Sequence, residues 1–134
     1  MNASFLDTNI VLYCYCFSDD NEKRFKALSI LATRPVISAQ VLNESANILR
    51  RKLNFKPQEI IAIIERLIRE CHVVPLTAKT TLSALAIAER YGFSIYDSLI
   101  IAASLSANCL TLFSEDMQHQ QTINDQLTVV NPFK

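Results

Sequence analysis

The sequence predicts an α/β domain built on a parallel sheet. Three observations carry this reading. Short apolar runs alternate with longer amphipathic segments, which is the pattern of strands separated by helices. The short runs are apolar throughout rather than alternating, as in strands covered on both faces. Half of the 134 residues are hydrophobic and 19% are charged. At that length one domain spanning residues 1–134 is expected, burying roughly 68% of its unfolded surface without disulfides or a structural metal.

The elements follow in order. Residues 3–6 form a short buried strand stopped by Asp7, and residues 8–16 a short apolar helix. Asp19, Asp20, Asn21 and Glu22 mark a helix start, with the acid three residues on completing a capping box, and the helix runs to about Ala32. Residues 35–38 form the second strand, and Ser38 caps a helix over 39–53. Pro57 suits the first turn of the next helix, which ends near Glu70. Residues 72–76 form a strand. Thr77 caps a helix that stops at Gly92, the chain's one glycine and a suitable C-terminal cap. Residues 94–107 form an almost wholly apolar, hence central, helix. The last strands lie at 109–113 and 127–130.

Composition removes several functions. One glycine permits neither a dinucleotide-binding fingerprint nor a P-loop. Thirteen basic and thirteen acidic residues balance to zero, which argues against a strongly basic nucleic-acid module but allows local patches. Cys14, Cys16, Cys71 and Cys109 contain no C-x-x-C pair, and His72 and His119 complete no zinc pattern, so buried reduced thiols are expected. The opening nine residues already contain Asp7 and read as fold rather than leader. No uncharged apolar run reaches about 18 residues, so no membrane span and a cytoplasmic setting are expected.

In sheets of this kind functional groups gather outside the carboxyl ends of the strands. Carboxylates stand there: Asp7 after the first strand, Glu44 two turns into the helix after the second, Asp97 in the first turn of the apolar helix, and Asp116 after strand 109–113. Clustered carboxylates repel one another unless a cation is present. Magnesium or manganese suits them, because both prefer oxygen ligands and magnesium needs only one or two protein carboxylates. Each acid also has a plain structural role open to it. Asp7 or Thr8 can cap the next helix, and Ser94 to Asp97 has capping-box spacing. Asp116 can cap a short helix over 117–121, and Glu44 can be a solvated or paired flank. Arg50, Arg51, Lys52 and Lys56 cluster at the end of the Glu44 helix. Arg51 lies seven residues from Glu44, on nearly the same line two turns on, where a guanidinium can grip phosphate or simply offset the helix dipole.

Phe5-Leu6-Asp7-Thr8-Asn9, Glu44 after Ile37-Ser38, Tyr96-Asp97-Ser98-Leu99-Ile100, Ser114-Glu115-Asp116-Met117 and Val129-Val130-Asn131-Pro132-Phe133 together resemble a PIN (PilT N-terminal) domain. Within that family the chain is most similar to single-domain VapC-type toxins of toxin–antitoxin pairs. The resemblance implies a Rossmann-like, three-layer α/β/α sandwich around a mainly parallel sheet. It implies a Mg2+- or Mn2+-dependent endoribonuclease, usually a homodimer, that cleaves RNA and is held inactive by a cognate antitoxin. Asp7, Glu44, Asp97 and Asp116 fall on the family's acidic quartet, Asn9 on the polar position after the first acid, and Ser114 on the small hydroxyl position. Relatives often carry glycine where this chain has Asn108 and Gln120.

The expected activity is therefore metal-dependent RNA hydrolysis. The quartet holds the metal, Asn9 and Ser114 orient ligands or phosphate, and Arg51 with Arg50 and Lys52 contacts the RNA backbone. The alternative is a non-catalytic PIN-like module for dimerisation or partner docking. A receiver-type aspartyl-phosphate protein is disfavoured, because Asn9 stands where a second acid belongs and no lysine follows Phe113.

Overall fold

The computed structural model describes residues 3–15 and 21–134. Cys16 and the Asp19–Asp20 half of the expected capping box lie outside them. The described elements run β1 (Ser4–Leu6), α1 (Thr8–Tyr15), α2 (Asn21–Leu31), β2 (Val36–Ser38), α3 (Ala39–Arg51), α4 (Pro57–Glu70), β3 (His72–Val74), α5 (Ala78–Tyr91), α6 (Ile95–Ser106), β4 (Thr111–Phe113), β5 (Thr122–Ile123) and β6 (Leu127–Val130). The six strands form one sheet in the order β3-β2-β1-β4-β6-β5. β3, β2, β1, β4 and β6 are mutually parallel, and β5 pairs antiparallel with β6 at the edge. Helices cover both faces, giving a three-layer α/β/α sandwich.

The chain steps outward from β1 through β2 to β3, then returns to the other side of β1 as β4. This reversal is a topological switch point, and it opens a crevice at the carboxyl ends of β1 and β4. Phe5 sits at the centre of the sheet, opposite Val36 on one side and Leu112 on the other. Phe5, Leu6, Ile37, Leu112, Leu127 and Val129 are wholly buried, which fits the uniformly apolar strand segments. α6 contributes buried Ile100, Ile101, Ala102 and Ala103. Its buried Ser104 satisfies its hydroxyl on the Ile100 carbonyl at 2.8 Å. Among the described residues, Cys14, Cys71 and Cys109 are buried free thiols. No described helix is long and apolar enough to cross a membrane.

Several caps match their residues. Thr77 Oγ1 accepts the Thr80 N–H, and Gly92 closes α5 at φ 77°. Ser94 Oγ accepts the Asp97 N–H at 3.1 Å. Ser38 occupies the N-cap position of α3, but its side chain makes no cap bond and its hydroxyl is buried without a partner. The short helix over 117–121 that Asp116 could have capped does not form. Ser114 Oγ takes the Met117 N–H at 3.3 Å, and the Gln120 N–H turns onto the Val129 carbonyl at 2.8 Å. Those bonds swing the chain into β5, a two-residue strand too short to leave an apolar signature.

Asn108 and Gln120 both adopt positive φ, 59° and 71°. The left-handed region costs an L-residue about 1–2 kcal/mol, less for asparagine. Glycine relieves this but loses about 0.5–1 kcal/mol through its freer unfolded chain. Gln120→Gly is therefore expected to stabilise by about 0.5 kcal/mol, and Asn108→Gly to be close to neutral. Denaturant midpoints measure both. A Gln120→Gly protein destabilised by more than about 1 kcal/mol would show that the glutamine side chain supplies a compensating contact.

Candidate active site

Asp7 follows β1 directly, and its N–H continues the β1–β4 ladder by donating to the Phe113 carbonyl at 3.0 Å. Ser114, the residue after β4, likewise extends its strand by donating its N–H to Val130. This shared register places the Ser114 hydroxyl on Asp7 Oδ2 at 2.9 Å. Asp7 Oδ1 accepts the Thr8 N–H at 2.7 Å, so Asp7 also caps the start of α1. Thr8 Oγ1 donates to Glu44 Oε1 at 3.1 Å and ties α1 to α3. Asn9 Nδ2 donates to Asp116 Oδ2 at 2.6 Å. The Asp-Thr-Asn segment thus supplies one acid and holds two more, Glu44 through Thr8 and Asp116 through Asn9.

The fourth acid, Asp97, is held by the first turn of α6. Gln40 Nε2 donates both to Glu44 Oε1, at 3.2 Å, and to the Tyr96 carbonyl, at 3.1 Å. Glu44 and the turn bearing Asp97 are thereby fixed to one amide. Gln40 escaped the sequence reading, and Thr8 was read only as a helix cap, not as a donor to Glu44. Gln40 carries a usable signal, since it stands four residues before Glu44 and therefore on the same helix face.

Burial and neighbouring charge act on the acids together. Burial pushes Asp7 from 3.8 to about 6, against the lowering effect of its bonds from Thr8 and Ser114, and the charges of Asp97 and Glu44 raise it further. Asp97 is also raised, first by burial and then by Asp116, against the lowering bond from Ser94. The quartet is one chain of mutually repelling charges. Neither ion pair between described residues involves it, since these join Lys23 to Glu115 and Arg66 to Glu70.

Among the described residues, no three His, Cys, Asp or Glu side chains are grouped tightly enough to enclose a metal ion. The hydrogen bonds explain this in part: Asp7, Glu44 and Asp116 are each bound to Thr8, Ser114, Gln40 or Asn9 rather than turned onto a common point. A Mg2+ ion does not need an all-protein cage, because it binds through one or two carboxylates and keeps several waters. Asp116 is exposed and Asp7, Glu44 and Asp97 are half-buried, so the donors remain open to such an ion. The donor set is all oxygen and makes no ion pair among the described residues, which fits a hard divalent cation.

Glu115, next to Asp116, turns away from the quartet. It accepts from Tyr13 Oη at 2.7 Å and from Lys23 Nζ at 2.6 Å. Lys23 also lies 5.1 Å from the Tyr13 and Phe133 ring centres. This cluster anchors the segment between β4 and β5 to α1 and α2. Arg50, Arg51 and Lys52 are all exposed at the end of α3. Arg51 lies about 10.5 Å along the helix axis from Glu44, by the rise per residue. The basic cluster makes no hydrogen bond to the quartet.

A family model described as PIN domain matches residues 4–123. No curated protein matches the chain. Among solved structures, Mycobacterium tuberculosis VapC20, titled a sarcin-ricin loop cleaving toxin, superposes with a TM-score of 0.69 at 21% identity over 85% of this chain and 92% of that one. A toxin–antitoxin complex from Klebsiella pneumoniae gives 0.71 at 16% identity, covering 97% and 98%. VapBC2 from Rickettsia felis, bound to a DNA fragment from its promoter, gives 0.67 at 21% identity, covering 95% and 96%. The family match covers the switch-point crevice and all four acids, and the chain belongs to the PIN domain family.

Proposed function

We propose that the chain is a metal-dependent endoribonuclease toxin, formed by residues 1–134 as one nuclease domain and neutralised by a cognate antitoxin. The observation that carries this is the gathering of Asp7, Glu44, Asp97 and Asp116 at one switch-point crevice, coupled in charge and in no ion pair among the described residues. Family membership supports a nuclease, and the solved relatives, titled as toxins or toxin–antitoxin complexes, support the toxin role and a protein partner. By the same analogy a homodimer is the working assembly.

The quartet would hold Mg2+ or Mn2+. Such an ion supplies Lewis-acid activation of the phosphodiester and of the attacking water. The chain's own residues do the rest. Asp7 and Glu44 are oriented by Ser114, Thr8 and Gln40, and Asn9 orients Asp116. One of the carboxylates accepts the proton of the attacking water. Arg51, with Arg50 and Lys52, holds the RNA backbone electrostatically.

The test is incubation of the purified protein with RNA under Mg2+ or Mn2+, with and without EDTA. Cleavage that EDTA abolishes is expected. EDTA-insensitive cleavage, or no cleavage of any RNA with either ion, would overturn the reading.

A further inference from the structure

Tyr96 stands one residue before Asp97, at the crevice. It is 65% exposed, the largest exposed aromatic surface beside the quartet. Its ring has no ring partner among the described residues, whereas Tyr13 packs on Phe133 and Tyr91 on Phe93. Its backbone is not loose: the Tyr96 carbonyl accepts from Gln40 Nε2 at 3.1 Å, and the same amide holds Glu44. An open aromatic face is thus mounted on a backbone fixed to the acid cluster.

We propose that Tyr96 is a stacking platform for an unpaired RNA base next to the scissile phosphate. Adjacent Cα atoms are about 3.8 Å apart, and successive helical residues point about 100° apart. The Tyr96 side chain therefore leaves the first turn of α6 at an angle to that of Asp97, one residue away. A phosphate held at the quartet leaves one of its flanking bases within reach of the ring. Tyrosine loses little freedom on binding, having two side-chain torsions, and a π-face accepts any base. Single-stranded RNA fits this better than a duplex, whose bases are already stacked. The platform gives a chain with no visible base-reading code a preference for unpaired substrate.

This inference rests on the ribonuclease reading, and its test separates the two. Asp7→Asn serves as a parent in which cleavage is blocked. Binding of a labelled single-stranded oligoribonucleotide in Mn2+ is followed by anisotropy, and a 2-aminopurine base in the oligonucleotide reports stacking by fluorescence quenching. Adding Tyr96→Ala is expected to weaken binding roughly 5- to 150-fold, the equivalent of one base stack, and to relieve the quenching. Adding Tyr96→Phe is expected to keep both within about twofold. A Tyr96→Ala protein that binds and quenches like its parent overturns the platform and leaves the ribonuclease reading standing. A wild-type protein that neither binds nor cleaves any RNA in Mn2+ overturns both.

Discussion

Asp97→Asn is expected to lower ribonuclease activity at least about 100-fold while leaving the fold intact. Two features separate the chemistry from the structure at this residue. Asp97 meets Ser94 twice, its backbone N–H donating to Ser94 Oγ and its carboxylate taking a hydrogen bond from Ser94, and asparagine keeps the donor and one acceptor oxygen. The half-buried carboxylate is instead coupled in charge to Asp7 and Asp116. Removing one charge from the quartet weakens its hold on a divalent ion and the several kcal/mol that such an ion supplies to a phosphoryl transition state. A loss of 2.7 kcal/mol already gives 100-fold. Steady-state cleavage with Mn2+, read beside a thermal melt, checks the expectation. A folded variant with unchanged activity would remove Asp97 from the catalytic set.

The sequence announced the acids but not their wiring. Asp7 and Asp116 were legible because each follows an apolar run closely, and in a parallel sheet such positions share one edge. Their separation across the sheet was not legible. It depends on the order β3-β2-β1-β4, which places β4 beside β1 although more than a hundred residues separate them. Only that register puts Ser114 on Asp7. Glu44 was readable from its place two turns into the helix that follows the second strand. Of Gln40 only the half facing Glu44, four residues on, was open to reading, because its partner across the crevice is a backbone carbonyl and nothing in a residue's identity advertises its main-chain acceptor. β5 was missed for a related reason: a two-residue edge strand is made by backbone pairing with β6 and the turn at Gln120, not by side-chain pattern.

The same residues that suit the crevice to metal burden the metal-free fold, and Asp7 measures how much. Its folded pKa is about 6 against 3.8 for an ordinary aspartate. The native state therefore holds a proton that the unfolded state releases, and stability falls as pH rises from about 4 to 6. Above pH 6 the full penalty stands, about 3 kcal/mol at 1.36 kcal/mol per unit. Below about pH 4 it is absent. Asp7→Asn removes the charge but gives Ser114 and Thr8 one acceptor oxygen where they had two. The net gain at pH 7 is expected to be about 1–3 kcal/mol, a rise in Tm of roughly 3–10 °C for a domain of this size. At pH 4 the variant is expected to hold no advantage. Mn2+ works against that ranking: at 100 times its Kd it adds about 2.7 kcal/mol to the wild-type protein, and less to a variant that has lost a ligand. Melts at pH 4 and pH 7, with and without Mn2+, separate the contributions. An Asp7→Asn protein less stable than wild type in EDTA at pH 7 would show that its hydrogen bonds to Thr8 and Ser114, rather than its buried charge, dominate its place in the fold.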